Sequence, residues 1–312
     1  MHGTYGDRPA GAILTETWML PTDLLRADIA WIEGGSGISF SEIYMVHPTA
    51  VIHPQARIAA GVKIGPFAVI DENVQVGSGC EIGPHVYLTG ATVLGTKNRI
   101  HAGAVIGDLP QDLRFKGGET KVVIGNDNVI REHVTIHRSN KMEEATQVGS
   151  NTLLMAHCHI AHNCVLGNHV IIGNGALVAG HASIGDNVFI SGNCLVHQFV
   201  RVGKLALMQG GAGISKDLPP FTIAKNGNQL GGLNTIGLRR AGFSDEERLE
   251  LRRLYHAVFR STLKFRDALE KARAEFTSEK AKVMLEFLSS GRRGFCSSRG
   301  PGRREADISP EE

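Results

Sequence analysis

The sequence predicts a mainly β protein, in which a long solenoid of six-residue repeats is followed by a small C-terminal α-helical domain. Three observations favour this fold class. Aliphatic residues recur at every sixth position over most of the chain, glycine accounts for 38 of the 312 residues, and aromatic residues make up only 6%. A period of six fits neither the 3.6-residue turn of a helix nor the alternation of a simple strand, so each hexad is expected to form one flat side of a stacked coil.

The hexad pattern occupies three stretches of the chain. It runs from Val46 to Ile106 without a slip, resumes from Ile124 to Ile136, and continues from Val148 to Ile214. Three hexads are expected to close one coil, with the aliphatic residues inside and neighbouring coils paired about 4.8 Å apart. Corners are predicted at glycines such as Gly65 and Gly77, because glycine tolerates the positive φ that a tight corner requires.

Two interruptions of the repeat, at 108–120 and 137–147, are predicted to be loops that leave the solenoid at its corners. Loops in this position often build the binding face of a solenoid. The repeat domain, including these loops, is predicted to span residues 45–220. A linker and a helical cap are predicted to follow over residues 221–295.

Local signals indicate helices in the cap. Ser244 and Glu247 have the spacing of a capping box. The apolar face of the helix that follows would be formed by Leu251, Leu254, Tyr255, Val258 and Phe259. Thr277 or Ser278 is predicted to begin a further helix. Its apolar stripe would be formed by Val283, Met284, Phe287 and Leu288.

The two ends of the chain are predicted to lie outside these domains. Residues 1–44 carry no hexad pattern, and we interpret them as a flexible or loosely docked extension, or as the result of a start codon placed too early, with Met45 as the natural beginning. Residues 296–312 are polar and are predicted to form a disordered tail.

Composition predicts an ordinary soluble protein. The formal net charge of +2 is too small to indicate a nucleic-acid-binding protein, and no apolar run approaches the roughly 20 residues of a membrane span. The sequence shows no secretory leader. Five cysteines without a CxxC pair indicate reduced thiols and a cytoplasmic location.

Histidines are concentrated in the repeats between residues 154 and 202. They are His157, His159, His162, His181 and His197. All occupy non-aliphatic positions and are expected to project outward, into grooves between subunits if three copies pack around a threefold axis. One such histidine alone would more often be a solvated surface residue, but five of them near a loop rich in Asp, Gln and Arg indicate a site.

His162 is the candidate catalytic residue. A histidine side chain, with a reference pKa of about 6.5, can take a proton from a hydroxyl at neutral pH, as acyl transfer to an alcohol requires. His181 lies nineteen residues further on, one coil plus one residue, so the two rings are expected to be neighbours. The N–H of Gly180 is suited to an oxyanion site. The alternative role of these histidines is to bind zinc across a groove between subunits.

The sequence motifs resemble a known family. The hexads, the segments AHCHIAHNC and LVHQF, the loop GDLPQDLRFKGGETKVVIG and the segment GLNTIGLRRAGF are similar to UDP-N-acetylglucosamine O-acyltransferases, over residues 45–295. The resemblance implies a left-handed parallel β-helix, a homotrimer, and transfer of a 3-hydroxyacyl group from acyl carrier protein to the glucosamine 3-hydroxyl of UDP-N-acetylglucosamine, the first step of lipid A synthesis. It implies no cofactor and no metal, because the phosphopantetheine arrives on the acyl carrier protein.

The same resemblance implies roles for individual residues. His162 matches the general base, and Gly180 matches the backbone donor to the thioester oxygen. Positions that contact substrate are matched by Gln111, Asp112, Arg114, His159, His181, His197, Gln198, Gly210, Asn234 and Arg240. Among these, Gly210 matches a position in the acyl groove, whereas Asn234 and Arg240 match positions that face the nucleotide end.

Several residues depart from the family pattern. Arg114 stands where lysine is frequent, Asn163 follows the base where aspartate is often found, and Ile236 stands where glutamate can occur. With Asn163 in place of aspartate, any carboxylate that orients His162 must come from elsewhere. The irregular segment AKNGNQLGGLN leaves the acyl chain length open.

Other functions compete with this interpretation. The same reaction on a 3-amino sugar nucleotide is the closest alternative. The related N-acyltransferase usually carries an N-terminal uridine-binding domain, for which 44 residues are too few. A γ-type carbonic anhydrase would bind zinc through interface histidines, and a catalytically silent solenoid would serve assembly alone.

Overall fold

The computed structural model describes residues 45–291 and 293–298 of the chain. The predictions for residues 1–44 and 299–312 therefore lie outside the described residues. From residue 45 the chain winds into a parallel β-helix with three sheets, which is the predicted stacked coil. No helix in the described ranges is both long enough and apolar enough to cross a membrane.

The strands are short and, from Val51–Ile52 to Gly213–Ile214, belong to the three sheets in strict rotation. The first sheet contains Val51–Ile52, Val69–Ile70, Tyr87–Leu88, Val105–Asp108, Thr135–His137, His159–Ile160, Leu177–Val178, Leu195–Val196 and Gly213–Ile214. The second contains Arg57–Ile58, Gln75–Val76, Ala91–Leu94, Lys121–Ile124, Ala145–Val148, Val165–Leu166, Ser183–Ile184 and Arg201–Val202. The third contains Lys63–Ile64, Glu81–Ile82, Arg99–Ile100, Val129–Ile130, Leu153–Leu154, Ile171–Ile172, Phe189–Ile190, Leu207–Met208, Thr222–Ala224 and Leu230–Leu233. Neighbours pair in parallel, except for the last two strands of the third sheet, which form an antiparallel pair.

Strand pairing shows how the insertions fit the repeat. In the first sheet Ile160 pairs with Val178, 18 residues away, whereas Ile106 pairs with Ile136 and Ile136 with Ile160, 30 and 24 residues away. The two insertions therefore add twelve and six residues to their coils. Both are multiples of six, which is why the aliphatic pattern keeps its phase. The second loop is shorter than predicted, because a strand begins at Ala145.

Each hexad sends two side chains into the core. The large aliphatic residue was predicted, and the residue two positions before it is also buried and is small, as with Val170 before Ile172 and Cys158 before Ile160. All five cysteines are free and buried. Burial raises the pKa of the Cys158 and Cys164 thiols to about 12, so these groups fill space and are not nucleophiles.

The predicted positive φ is wrong for most of the corner glycines, although Gly107 has it (φ 90°). Positive φ occurs three residues after the inward aliphatic residue, for example at Asn163 (φ 59°) and His181 (φ 60°), and Gly65 and Gly77 do not have it. A Cβ on Gly77 would instead lie 2.4 Å from the carbonyl oxygen of Gly95 in the next coil. Glycine is needed there because the stacked coils approach too closely for any side chain.

Helices α1 (Thr235–Arg240), α2 (Asp245–Phe259), α3 (Phe265–Glu275) and α4 (Glu279–Ser289) form the cap. The capping box of Ser244 and Glu247 is confirmed at the start of α2, together with the predicted buried face of that helix. Ser278, not Thr277, caps α4. Helix α3 was not predicted, because its first turn lacks a side-chain cap.

Two predictions for the last part of the chain need correction. The buried face of α4 is Ala281, Met284, Leu285 and Leu288, rather than a stripe that includes Val283, which is 36% exposed. The tail prediction is wrong for residues 296–298. Cys296 is fully buried, and its N–H donates to the carbonyl of Asp217.

Arg201 joins the β-helix to α4. Its Nε donates to Oδ2 of Asp217 at 2.8 Å, its terminal nitrogens donate to Ser290 Oγ and to the Phe287 carbonyl, and its guanidinium lies 4.2 Å from the centre of the Phe287 ring. Asp217 is only 1% exposed. Removing the arginine would leave this carboxylate buried without its cationic partner.

We therefore expect Arg201→Ala to lower the free energy of unfolding by about 2–3 kcal/mol. Arg57 lies in the same sheet but is exposed, so Arg57→Ala is the matched control and should change stability by less than about 0.5 kcal/mol. Urea unfolding of both variants measures the difference. Equal stability of the two variants would contradict the role of Arg201 in holding the cap.

Candidate active site

His162 and Gly180 occupy equivalent positions on adjacent coils. Each is the second residue after an inward aliphatic residue of the first sheet, Ile160 and Val178, which pair with each other. A Cβ built on Gly180 would lie 2.7 Å from both Cε1 and Nε2 of His162. The imidazole therefore occupies the space that a side chain at position 180 would need.

His162 is 5% exposed, although it lies outside the core of the coil. The predicted proximity of His162 and His181 is confirmed, since their ring centres are 5.1 Å apart and their planes nearly perpendicular at 87°. His181 also stacks on Phe199, with ring centres 4.6 Å apart. Burial, and then the neighbouring His162, lower the pKa of His181.

The hydrogen bonds of Asn163 determine which nitrogen of His162 carries its proton. Oδ1 of Asn163 accepts from the backbone N–H of Asn140 at 3.0 Å, and it lies 2.9 Å from Nδ1 of His162. Because a backbone N–H can only donate, the Asn163 atom at this point is the oxygen. Nδ1 of His162 must then be the donor, so the lone pair of the neutral ring is on Nε2, beside Gly180.

The first insertion is tied to the same network. Oδ2 of Asp112 accepts from Nδ2 of Asn140 at 2.7 Å, and Oδ1 accepts from the backbone N–H and Nε of Arg114. These contacts, with those to the Arg114 backbone first, hold the pKa of Asp112 well below its usual range. The two insertions are therefore connected to each other and, through Asn140 and Asn163, to His162.

Two further histidines lie next to His162 on the first sheet. Nδ1 of His159 is 2.7 Å from the hydroxyl oxygen of Thr135, and its ring meets the edge of His137 at a centre distance of 4.7 Å. Burial, and then His137 and His162, lower the pKa of His159 to about 4. His137 was given no role from the sequence. The only signal for it was its place in the segment VTIHR, at the start of the second insertion.

We expect acid to destabilise the protein through His159. Between pH 6.5, the ordinary histidine pKa, and pH 4, the unfolded chain binds a proton that the folded chain excludes, so the free energy of unfolding falls as pH falls. At pH 5 the free energy of unfolding is lower by up to about 2 kcal/mol than at neutral pH. His159→Gln should lose less stability between pH 7.5 and pH 5 than the wild type or a His169→Gln control, in which an exposed histidine is changed. The reverse order in urea unfolding would contradict this.

The other predicted substrate residues are more exposed. Gln111, Gln198, Gly210, Arg240 and His197 lie at the surface, and the Arg114 side chain is 79% exposed. His197 Nδ1 lies 3.4 Å from a guanidinium nitrogen of Arg293 in the chain that follows α4. His157 is not part of this group, because it lies on the corner after the third sheet and stacks on His133.

The side chain of Asn234 makes its hydrogen bonds within this chain. It is 6% exposed and caps α1, with Oδ1 accepting from the Gly237 N–H and Nδ2 donating to the Leu205 carbonyl. Contact of Asn234 and Arg240 with a nucleotide stays a prediction. The described residues of one chain contain no group of three His, Cys, Asp or Glu side chains placed to hold a metal ion.

An apolar groove of about 410 Å³ lies on the first sheet, toward the cap from Gly180. It is lined mainly by Leu177, Ala179, Leu195, His197, Gly213 and Asn228. Leu177 and Leu195 are about half exposed. An aliphatic chain or the apolar face of another protein would suit this surface.

Comparisons with known proteins agree with this architecture. Residues 217–296 match the model described as Udp N-acetylglucosamine O-acyltransferase; Domain 2, and residues 56–90 and 145–180 match Bacterial transferase hexapeptide (six repeats). The acyl-[acyl-carrier-protein]--UDP-N-acetylglucosamine O-acyltransferase of Myxococcus xanthus is 49% identical over 253 residues, covering 80% of this chain and 98% of the relative. The chain belongs to the UDP-N-acetylglucosamine O-acyltransferase family.

Solved members of the UDP-N-acetylglucosamine O-acyltransferase family share the fold. The enzyme from Bacteroides fragilis is 43% identical with a TM-score of 0.78, covering 80% of this chain and 99% of the other. The one from Acinetobacter baumannii is 38% identical, also with a TM-score of 0.78 and the same coverage. The predicted fold class is confirmed, a left-handed parallel β-helix with a C-terminal helical domain.

Proposed function

We propose that this protein transfers a 3-hydroxyacyl group from acyl carrier protein to the 3-hydroxyl of UDP-N-acetylglucosamine, the first step of lipid A synthesis, with His162 as the general base. One observation carries the proposal. The hydrogen bond from Nδ1 of His162 to Asn163 leaves the lone pair of Nε2 beside Gly180, in a site with little exposure. The curated relatives are named as acyl-[acyl-carrier-protein]--UDP-N-acetylglucosamine O-acyltransferases, which supports the choice of donor and acceptor.

The proposed reaction needs no metal or cofactor. Nε2 of His162 takes the proton from the sugar hydroxyl while the hydroxyl oxygen attacks the thioester carbonyl carbon. As negative charge develops on the carbonyl oxygen, this oxygen accepts a hydrogen bond from the Gly180 N–H. Among the described residues the Gly180 N–H has no other acceptor. Collapse of the intermediate breaks the C–S bond, and the departing thiolate takes the proton back from Nε2.

The working form is proposed to be a cytoplasmic homotrimer. The exposed leucines of the first sheet, Leu177 and Leu195, support association between copies, because an apolar surface of this kind is suited to association or to an acyl chain. Sedimentation equilibrium measures the mass directly. A monomer that retains full transfer activity would contradict the trimer.

The test is acyl transfer from a panel of 3-hydroxyacyl carrier proteins to UDP-N-acetylglucosamine and, in parallel, to its 3-amino analogue. Transfer to the ordinary sugar by the wild type supports the proposal, and the preferred donor gives the acyl chain length. Transfer only to the 3-amino analogue would mean that the amino sugar nucleotide, and not UDP-N-acetylglucosamine, is the acceptor. No transfer to either acceptor by the folded protein, with stoichiometric zinc by elemental analysis, would overturn the proposal in favour of a metalloenzyme.

A further inference from the structure

The side chain of Asn163 is held from both sides. One side faces His162 and the Asn140 N–H, as described above. On the other side, Nδ2 donates to Ser139 Oγ at 2.7 Å and to Oε2 of Glu144 at 2.6 Å. Because a carboxylate can only accept, the Glu144 contact requires the nitrogen of the amide. The Asn140 contact and the Glu144 contact therefore impose the same orientation independently.

Glu144 is itself firmly placed. Its other oxygen, Oε1, accepts from Nζ of Lys141 at 2.6 Å. The Lys141 contact, which is the larger cause, and the Asn163 contact lower the pKa of Glu144, so it is ionised at neutral pH. The backbone of Asn163 adds a further restraint, since its N–H donates to Oγ1 of Thr146 at 2.8 Å.

We propose that Glu144 is a positioning residue for His162. It acts through Asn163, which faces Glu144 with its amide nitrogen and His162 with its oxygen. The Glu144 carboxylate is therefore separated from the His162 imidazole by the side chain of Asn163 alone. No aspartate directly follows His162 in this chain. The effect of Glu144 is to keep the proton of the neutral ring on Nδ1 and Nε2 free to act on the substrate. This inference rests on the proposed acyl transfer.

Exchanging the two functional groups tests the arrangement. Asn163→Asp alone puts a second carboxylate oxygen 2.6 Å from Glu144, and two carboxylates at that distance cannot both ionise. The double variant Asn163→Asp/Glu144→Gln reverses the donor and acceptor between the two positions. Oε1 of the new glutamine can still accept from Lys141, while its amide nitrogen donates to the new aspartate.

We expect kcat to fall at least tenfold in Asn163→Asp with little change in KM, and to return to within about threefold of wild type in the double variant. The single variant should also show an added ionisation in the pH profile of kcat that the double variant lacks. The kcat of Glu144→Gln alone should lie between those of Asn163→Asp and the double variant, because the amide nitrogen of the new glutamine would face the Lys141 ammonium. Glu143→Gln is the matched control, an exposed neighbouring glutamate, and should retain full activity.

Two results would overturn the proposal. One is full activity in both single variants, and the other is a double variant no better than Asn163→Asp alone. A second readout is independent of catalysis. In ¹⁵N spectra the His162 signal, identified by its loss in His162→Ala, should report a proton on Nδ1 in the wild type and a mixture of tautomers in Glu144→Ala. If the wild type transfers no acyl group, the proposed function fails, while the tautomer measurement still decides the role of Glu144.

Discussion

Replacing His162 with alanine should lower kcat/KM for acyl transfer by about 10²- to 10⁴-fold, the usual contribution of a general base. The reason is the loss of a ring nitrogen, Nε2, whose lone pair is left beside Gly180 by an oriented hydrogen-bond network. His159 and His181 are not placed to replace it, because His159 bonds to Thr135 and His181 stacks on Phe199. Initial rates with a saturating acyl carrier protein donor measure the loss.

His169→Ala is the matched control for this variant. His169 is an exposed histidine seven residues after His162, at the corner between the second and third sheets, and its loss should leave the rate within about twofold of wild type. The mass of the assembly and the melting temperature should be unchanged in both variants. A His162→Ala protein that is folded and retains more than a tenth of wild-type activity would exclude His162 as the base.

Gly180→Ala is expected to lower kcat by at least tenfold, because the new methyl group would be placed 2.7 Å from the imidazole of His162. Contact at this distance requires something to move, and the ring is held on its other side by Asn163. Alanine retains the backbone N–H, so the proposed hydrogen bond to the oxyanion is still available. The loss should therefore come from displacement of the base.

A double-mutant cycle separates the two roles of Gly180. In a His162→Ala background there is no ring to displace, so adding Gly180→Ala should cost less than threefold. An equal cost in both backgrounds would mean that Gly180 acts apart from His162. Unchanged activity of Gly180→Ala in the wild-type background would contradict the close packing of the two positions.

The fold was predictable because its period is local. An inward aliphatic residue every six positions needs no knowledge of distant contacts, and insertions of six and twelve residues do not disturb it. The function of the corner glycines was not predictable in this way. Whether a glycine such as Gly77 serves the backbone angle or the approach of the next coil depends on the distance between coils, which only pairing sets.

The helical cap shows the limits of local signals. Helix α2 was predicted because a capping box and a clear apolar face mark it. Helix α3 begins without a side-chain cap. The buried face of α4 differs from the predicted stripe, and Phe287 contacts Arg201 and Phe295, which lie in distant or later parts of the chain. The neighbours of Cys296 pair like strands with residues about 70 to 80 positions earlier, Phe295 with Asp217 and Ser297 with Gln229, which composition cannot reveal.

Residue identity and spacing established the repeat, the placement of His162 and His181 on adjacent coils, and the resemblance that named Gly180 and the substrate positions. They could not show that Asn163 donates a hydrogen bond to the carboxylate of Glu144, since Glu144 lies in an insertion whose path is set by tertiary contacts. They also could not distinguish an outward histidine that is exposed from one that is covered. Hydrogen-bond direction and burial depend on atoms brought together from separate parts of the chain, and those belong to the folded structure.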